Sequence, residues 1–399
     1  MRNNVFVFVV CGAREHIETL HFSLNALHRY SKNKIIVLTD SSRNEIQVEW
    51  KNVIDVKTPE QFNHHQASIF IKTSLHRLLP KGNTYCYLDT DVIALDRKVD
   101  DIFKYKEGIV TFAQDHCTMP KFSPHAVHCD CVALNKTKID ELEFLMEKYN
   151  PIPYRHDPVM VKKRNELLQK FETLKKDKLN YFFISLRFLA TFRKFKLDDD
   201  SYYDRWKRAW MDKEGRIIFP KVETKSMIRD MEKNTPWRWN AKRNRWIGPD
   251  GSDVYDLQCY HLAEYINDKF GIEVKEKSFQ HWNGGVFLFD DSSHPFLDSW
   301  HEKTMAIFDD PNWKTRDQGT LIATAWEFGL QNNPLLPVEY NFIADYNHPT
   351  MIYHGELTFD IDEKVKAIKP HFIHIYHNWG DTTWEVWNDV FSFLSKEYA

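Results

Sequence analysis

From Val5 to Val10 apolar residues follow one another without a polar break, the pattern of a strand covered on both faces. A turn at Cys11-Gly12-Ala13 follows. Ile17, Leu20, Leu24 and Leu27 then recur at three- and four-residue spacing, which predicts an amphipathic helix. Lys34–Leu38 predicts a second strand, closing at Thr39-Asp40. A helix is expected from Ser68 to Leu79, stopped by the breakers Pro80-Lys81-Gly82, and then a third strand, Tyr85–Leu88, which runs into Asp89-Thr90-Asp91. Strand, helix, strand, helix, strand is the order of a doubly wound, mostly parallel sheet, so the expected fold class is α/β. In such sheets ligands collect beyond the carboxyl ends of the strands, and both Cys11-Gly12-Ala13 and Asp89-Thr90-Asp91 fall there.

The middle of the chain reads differently. Val161–Phe195 is long, basic and helical in pattern, with Leu167, Leu168, Phe171 and Leu174 on one stripe. The turn signals Asp212-Lys213-Glu214-Gly215 and Gly248-Pro249-Asp250-Gly251, each flanked by aromatics, predict hairpins. Strand–helix order returns at Trp282. Asn283-Gly284-Gly285 precedes an expected strand at Val286–Phe289, a helix follows around His294–Phe308, another opens near Asp317-Gln318, and the last strand signal is His371–Tyr376. The expected organisation is one α/β domain, residues 1–118 and 279–399, interrupted by an insertion at 119–278.

The 399 residues are 42% hydrophobic and 15% aromatic, enough for a sizeable core and against general disorder. No apolar run reaches the roughly 18–20 residues that cross a bilayer, and Val5–Val10 is too short for a signal-peptide core. Six cysteines scattered through a long chain do not make a disulfide framework, so a reducing, cytoplasmic setting is expected. The net charge of −3 hides a split: Lys162–Arg245 holds 24 Lys/Arg against 12 Asp/Glu, a net of +12, which leaves −15 for the rest. The basic stretch also carries Trp206, Trp210, Trp237, Trp239 and Trp246. It reads either as a solvated helical surface or as a binding face for something anionic.

Two carboxylates one residue apart at a strand end, Asp89 and Asp91, can leave the sheet edge together and share a hard divalent ion such as Mg²⁺ or Mn²⁺. A third ligand from far along the chain is expected at His374, set between Ile373 and Ile375; His371 and His377 cannot face the same site along one strand. Asn283-Gly284-Gly285 removes side-chain bulk where backbone must approach a ligand, or is a tight turn. Asp317-Gln318 opens a helix, where Asp317 either caps or takes part in chemistry. The His116, Cys117, His125, His128, Cys129 and Cys131 run lacks a C-x₂-C pair, so a loop plus a strand at Cys131–Leu134 is expected there rather than zinc. There is no Walker-A sequence, nucleophile elbow or zinc-protease helix.

Taken in order, these residues resemble a GT-A fold glycosyltransferase, closest to the glycosyltransferase family 8 pattern of glycogenin-like and bacterial galactosyltransferase-like enzymes. The resemblance covers about residues 1–118 and 279–380. It rests on Ile71-Lys72-Thr73 through Tyr87-Leu88-Asp89-Thr90-Asp91-Val92, on Asn283-Gly284-Gly285-Val286 with Asp317-Gln318, and on Phe372-Ile373-His374-Ile375-Tyr376. It implies a nucleotide-sugar donor, a UDP-sugar by expectation, with Mn²⁺ or Mg²⁺ on Asp89, Asp91 and His374, and transfer with retention of configuration. It further implies that Lys72, Thr90, Gly284 and Gly285 support the donor and that backbone at Cys11, Gly12 and Ala13 holds the nucleoside. Asn283, Asp317 and Gln318 would then surround the anomeric carbon. After its histidine the family carries a lysine-proline-tryptophan segment; here Ile375-Tyr376-His377-Asn378-Trp379 has no lysine, and His377 is the candidate in its place.

The acceptor is expected to be a glycan or lipid-linked molecule, possible contacts being tryptophan stacking on sugar and a basic helix on an anionic acceptor or anionic lipid, which would make the protein peripheral at a membrane. Nucleic acid is not expected, since it leaves the metal motif unexplained. A sugar-phosphate nucleotidyltransferase would show a Gly-rich basic loop after the first strand, where this chain has one glycine and Arg14. A non-catalytic glycan- or lipid-binding protein would not need intact Asp89, Asp91 and His374.

Overall fold

The computed structural model describes residues 3–150, 157–220, 224–276, 278–345, 350–361, 365–375 and 377–396. The chain forms two compact units, Met1–Cys129 with Gln258–Ala399, and Asp130–Leu257. The inserted unit is thus shorter than the 119–278 read from the sequence. Helices at both of its flanks bury Met119, Ala126, Leu262 and Ile266 in a core of the first unit.

The first unit is mixed α/β, built on β1 (Asn4–Val10), β2 (Lys34–Thr39), β3 (Val53–Asp55), β4 (Thr84–Leu88), β5 (Val92–Ala94), β6 (Val110–Thr118) and β7 (Gln280–Phe289). Six of these form one sheet in the order β3-β2-β1-β4-β7-β6. β3, β2, β1 and β4 run parallel, while β7 is antiparallel to both its neighbours. β5 belongs to a smaller sheet between it and β8 (Phe342–Ile343), with β9 (Phe372–His374) in the middle. The continuous apolar run of β1 has the reason expected: Phe6, Phe8 and Val10 enter one hydrophobic core and Val5, Val7 and Val9 the other, on the opposite face.

Around the sheets lie α1 (Arg14–Tyr30), α2 (His64–Thr73), α3 (Leu75–Leu78), α4 (Met119–Ala126), α5 (His261–Phe270), α6 (His294–Ala306) and α7 (Arg316–Glu327). The single helix expected from Ser68 to Leu79 is two. α2 starts earlier because Asn63 and Gln66 form a reciprocal capping box. It ends where the Thr73 and Ser74 hydroxyls bond back to the carbonyls of Ile69 and Phe70 and loosen the ladder. Asn283-Gly284-Gly285 does not precede a strand but lies within β7, where the pairing with β6 slips: Asn283 opposes Ala113 while Phe287 opposes Phe112. The glycines occupy this bulge.

In the second unit the long helical segment expected at Val161–Phe195 is also two helices, Pro158–Lys176 and Lys178–Ala190, separated by Asp177, whose side chain caps the second at the Asn180 N–H. Cys131–Leu134 is not a strand; it opens the helix Cys131–Tyr149. The turn at Asp212–Gly215 joins the strands Ala209–Asp212 and Ile217–Pro220, as expected. Gly248–Gly251 closes only an isolated bridge between Ile247 and Asp253.

The tryptophans correct the sequence reading most clearly. Trp237 and Trp246 are buried with Leu142, Met227, Met231 and Val254, and Trp210 and Trp239 are half-buried. A small unit of short hairpins needs bulky side chains to fill its interior, and these supply that core rather than a sugar platform. Trp206 alone of the five is exposed, at 69%, with the Arg193 guanidinium 4.2 Å from its ring centre. Among the described residues no helix is long and apolar enough to cross a membrane.

Candidate functional site

Strand register brings the sequence-predicted residues together. β4 ends at Leu88, and Val286 of β7 lies opposite it, so Gly285 comes to rest beside Asp89; the Asp89 N–H donates to the Gly285 carbonyl at 2.8 Å. β5 resumes at Val92, directly opposite His374 of β9, and the Ile375 N–H donates to the Asp91 carbonyl at 3.1 Å. Two distant segments, the turn after β4 and the end of β9, therefore deliver Asp89, Asp91 and His374 to one point, each offering a ligand atom within 4.8 Å of the others. His374 Nε2 lies 3.3 Å from an Asp91 oxygen.

A chain of amides fixes how that imidazole is presented. Asp115 is held well below the usual carboxylate range: burial works against its charge, but the His116 hydrogen bond and the nearby His281 and Asn283 favour it. An ionised carboxylate only accepts, so Asn283 must donate to Asp115 Oδ2 through Nδ2, at 3.1 Å. Asn283 Oδ1 then accepts from Asn341 Nδ2 at 3.1 Å and from the Gly285 N–H at 2.9 Å. This leaves Asn341 Oδ1 to accept from His374 Nδ1, 3.0 Å away. With Nδ1 carrying a proton, Nε2 is the ring nitrogen turned to Asp91 and the one that would bind a metal ion. Replacing Asn341 by Ala is expected to weaken Mn²⁺ affinity roughly 10- to 100-fold without unfolding the protein, as read by calorimetric titration. Unchanged affinity would remove the orienting role of Asn341.

The donor set of two carboxylates and an imidazole suits Mn²⁺ or Mg²⁺. The glycine at 285 is part of that fit. A Cβ there would stand 2.7 Å from His374, 2.8 Å from Asn283 and 2.8 Å from Asp89, so any side chain would push the ligands apart.

Lys72, near the end of α2, is buried between Asp317 and Asp89, with Nζ 3.0 and 3.3 Å from their oxygens and 5.1 Å above the Tyr87 ring. Burial alone would discharge the amine; the two carboxylates override it and push its pKa up. Asp317 is likewise opposed by burial and held down chiefly by Lys72. Its side chain thus pairs with a cation rather than capping α7: no side chain caps that helix. The Tyr87 hydroxyl donates to Asp89 at 2.5 Å.

Lys72, Tyr87, Asp89, Thr90, Asp317 and Gln318 line one cavity of about 420 Å³, together with Cys11, Ala13 and the histidines His16, His64 and His65. Gly12 stands at its rim with φ +99°, and a Cβ there would meet the His64 ring at 2.5 Å, so the tight first turn requires glycine. Gly284 faces Gln318 and donates its N–H to Gln318 Oε1 at 3.3 Å. His377 does not line this cavity. Its ring is exposed and bonded to Asp345 at 2.5 Å, and His371 is bonded to Asp96, so the three histidines separate as expected. Tyr376 lies outside the described residues.

Sequence reasoning missed Asp115, Asn341 and the cavity histidines. Asp115 lies inside β6, just beyond the mostly apolar Val110–Ala113, and a carboxylate within a strand was the signal that could have found it. Asn341 gave no signal, since the strand after it has two residues.

No protein-family model matches the chain, and no curated protein does. Among solved structures it is similar to the apo form of WbbM, a bifunctional glycosyltransferase, at 11% identity and a TM-score of 0.42, over 99% of this chain and 50% of that one. It is similar to the galactosyltransferase LgtC in complex with donor and acceptor sugar analogues at 9% identity and a TM-score of 0.41, over 98% and 94% of the two chains. The apo form of mouse xyloside xylosyltransferase 1 follows at 9% identity and a TM-score of 0.34, over 87% and 88%. The chain spans half the length of WbbM.

Proposed function

We propose that this protein is a metal-dependent glycosyltransferase of GT-A type, taking a sugar from a nucleotide diphosphate, a UDP-sugar in the first instance, to a glycan or lipid-linked acceptor with retention of configuration. The observation that carries this reading is the meeting of Asp89, Asp91 and His374 with the Lys72–Asp317 pair at the carboxyl ends of β1 and β4, beside a cavity of about 420 Å³.

A divalent ion on Asp89, Asp91 and His374 would neutralise the charge that develops on the departing diphosphate. The chain's own residues do the rest. Backbone at Cys11, Gly12 and Ala13, with the cavity histidines, receives the nucleoside. Lys72 donates to the sugar or phosphate oxygens. Asp317, ionised beside Lys72, stabilises positive character at the anomeric carbon, while Gln318 and Asn283 fix the backbone of the β7 bulge on which the sugar rests. No covalent nucleophile is assigned.

The second unit is proposed to meet an anionic lipid surface. Its helix Lys178–Ala190 exposes Leu179, Phe182, Phe183, Leu186 and Leu189 beside its basic residues, a composition suited to the surface of an anionic bilayer and hence to a lipid-linked acceptor.

Incubation with a panel of UDP- and GDP-sugars should release nucleotide from one donor in the presence of Mn²⁺ or Mg²⁺ and not after chelation. Absence of both nucleotide release and nucleotide binding across the panel would overturn the proposal.

A further inference from the structure

The chain leaves the first unit after Cys129 and returns to it at Gln258. A cysteine stands at each crossing point. The sulfurs of Cys129 and Cys259 are 4.0 Å apart, and a ring nitrogen of His261, the first residue of α5, lies within 4.8 Å of each. All three residues belong to the first unit, with Cys259 buried and the other two half-buried.

The spacing discriminates between the ways two thiols can be used. A disulfide would bring the sulfurs to about 2.0 Å. A tetrahedral ion with metal–sulfur bonds of about 2.3 Å holds its sulfurs about 3.8 Å apart, close to what is seen.

The surroundings hold the ligands in place. The Cys259 N–H donates to the Pro120 carbonyl at 3.0 Å, and the Ser123 hydroxyl of α4 sits 3.1 Å from Cys259 Sγ while accepting the Leu262 N–H at 2.9 Å. The His261 backbone N–H hydrogen bonds to the Cys259 sulfur. These contacts fix where the Cys259 sulfur points. The sequence spacing is not that of a zinc finger; it is the fold that brings Cys129, from one end of the insertion, to Cys259 and His261 at the other.

We infer that Cys129, Cys259 and His261 bind a structural zinc ion that ties together the two strands of chain at the base of the insertion. The site is chemically distinct from the donor site, because two thiolates select zinc over the hard ions that suit Asp89, Asp91 and His374.

The test is zinc content by plasma mass spectrometry of untagged protein purified under reducing conditions without chelator. About one zinc per chain is expected. Cys129→Ser and Cys259→Ser should each lower zinc occupancy at least about tenfold, while Asp91→Ala should leave it unchanged, which separates this site from the donor site. Since a cysteine variant can fail to fold for its own reasons, the intact protein gives a second readout. Replacing the metal by Co²⁺ should produce a thiolate-to-cobalt charge-transfer band and strong tetrahedral visible bands. Zinc retained in both Cys129→Ser and Cys259→Ser would overturn the inference. So would a Cys129–Cys259 disulfide found by mass spectrometry, or metal-free protein with reduced thiols and no cobalt–thiolate band.

Discussion

Asp91→Ala is expected to lower donor-sugar hydrolysis and transfer at least about 10³-fold at fixed Mn²⁺, and to do so without loss of fold. The two carboxylates of the motif are not equivalent. Asp89 is already engaged by Lys72 at 3.3 Å and by the Tyr87 hydroxyl, so part of its charge is used within the protein. Asp91 faces His374 Nε2, and His374 Nδ1 is bonded to Asn341. Removing Asp91 therefore removes the ligand with the least competing commitment and leaves an imidazole and a shared carboxylate, too few to hold a hard cation firmly. The partner left behind, His374, can become a neutral imidazole that keeps its Asn341 hydrogen bond, so no buried charge is stranded and the melting temperature should stay within a few degrees of wild type. Parallel measurement of Mn²⁺ affinity, nucleotide release and melting temperature separates the effects. Activity within about tenfold of wild type, with Mn²⁺ affinity unchanged, would refute the metal assignment.

Much of this site was legible because strand ends are legible. The apolar runs Val5–Val10 and Tyr85–Leu88 end in Cys11-Gly12-Ala13 and Asp89-Thr90-Asp91, and a parallel sheet gathers such ends on one edge. His374 could be chosen because it interrupts an apolar run. What pattern could not convey was the pairing that makes these ends converge. Asn283-Gly284-Gly285 looks like a turn in sequence and is a bulge inside β7, and only the antiparallel register against β4 sets Gly285 beside Asp89. Asn341 was invisible for the same reason, since its role exists only through two side-chain bonds to residues 33 and 58 positions away. The tryptophans of the insertion misled because composition cannot separate a platform from a core. Burial decides that question for Trp237 and Trp246.

Lys72→Met carries the largest expected cost in stability, and pH identifies its cause. In the wild type the Lys72 ammonium sits within 3.3 Å of both Asp89 and Asp317, buried on all sides. Methionine fills nearly the same space but leaves Asp317 buried without its cation, a situation that costs roughly 3–5 kcal/mol. The sign of the pH dependence follows from Asp317. With Lys72 present its pKa is depressed, so its contribution is fully present above the unfolded value of about 3.9 and is lost only as pH falls through the lower folded value. Without Lys72 the burial that already opposes its charge is no longer offset, and the folded pKa moves above the unfolded one. The penalty is then full at neutral pH and shrinks as pH falls and the carboxyl takes up a proton. The stability gap between wild type and Lys72→Met, measured by chemical denaturation, should accordingly be wider at pH 7.5 than at pH 5. Lost packing would give the same gap at both values, and that result would reject the electrostatic account of this pair. Nucleotide release should fall in the variant at both pH values, since the cation that meets the donor is gone whatever the protonation of Asp317.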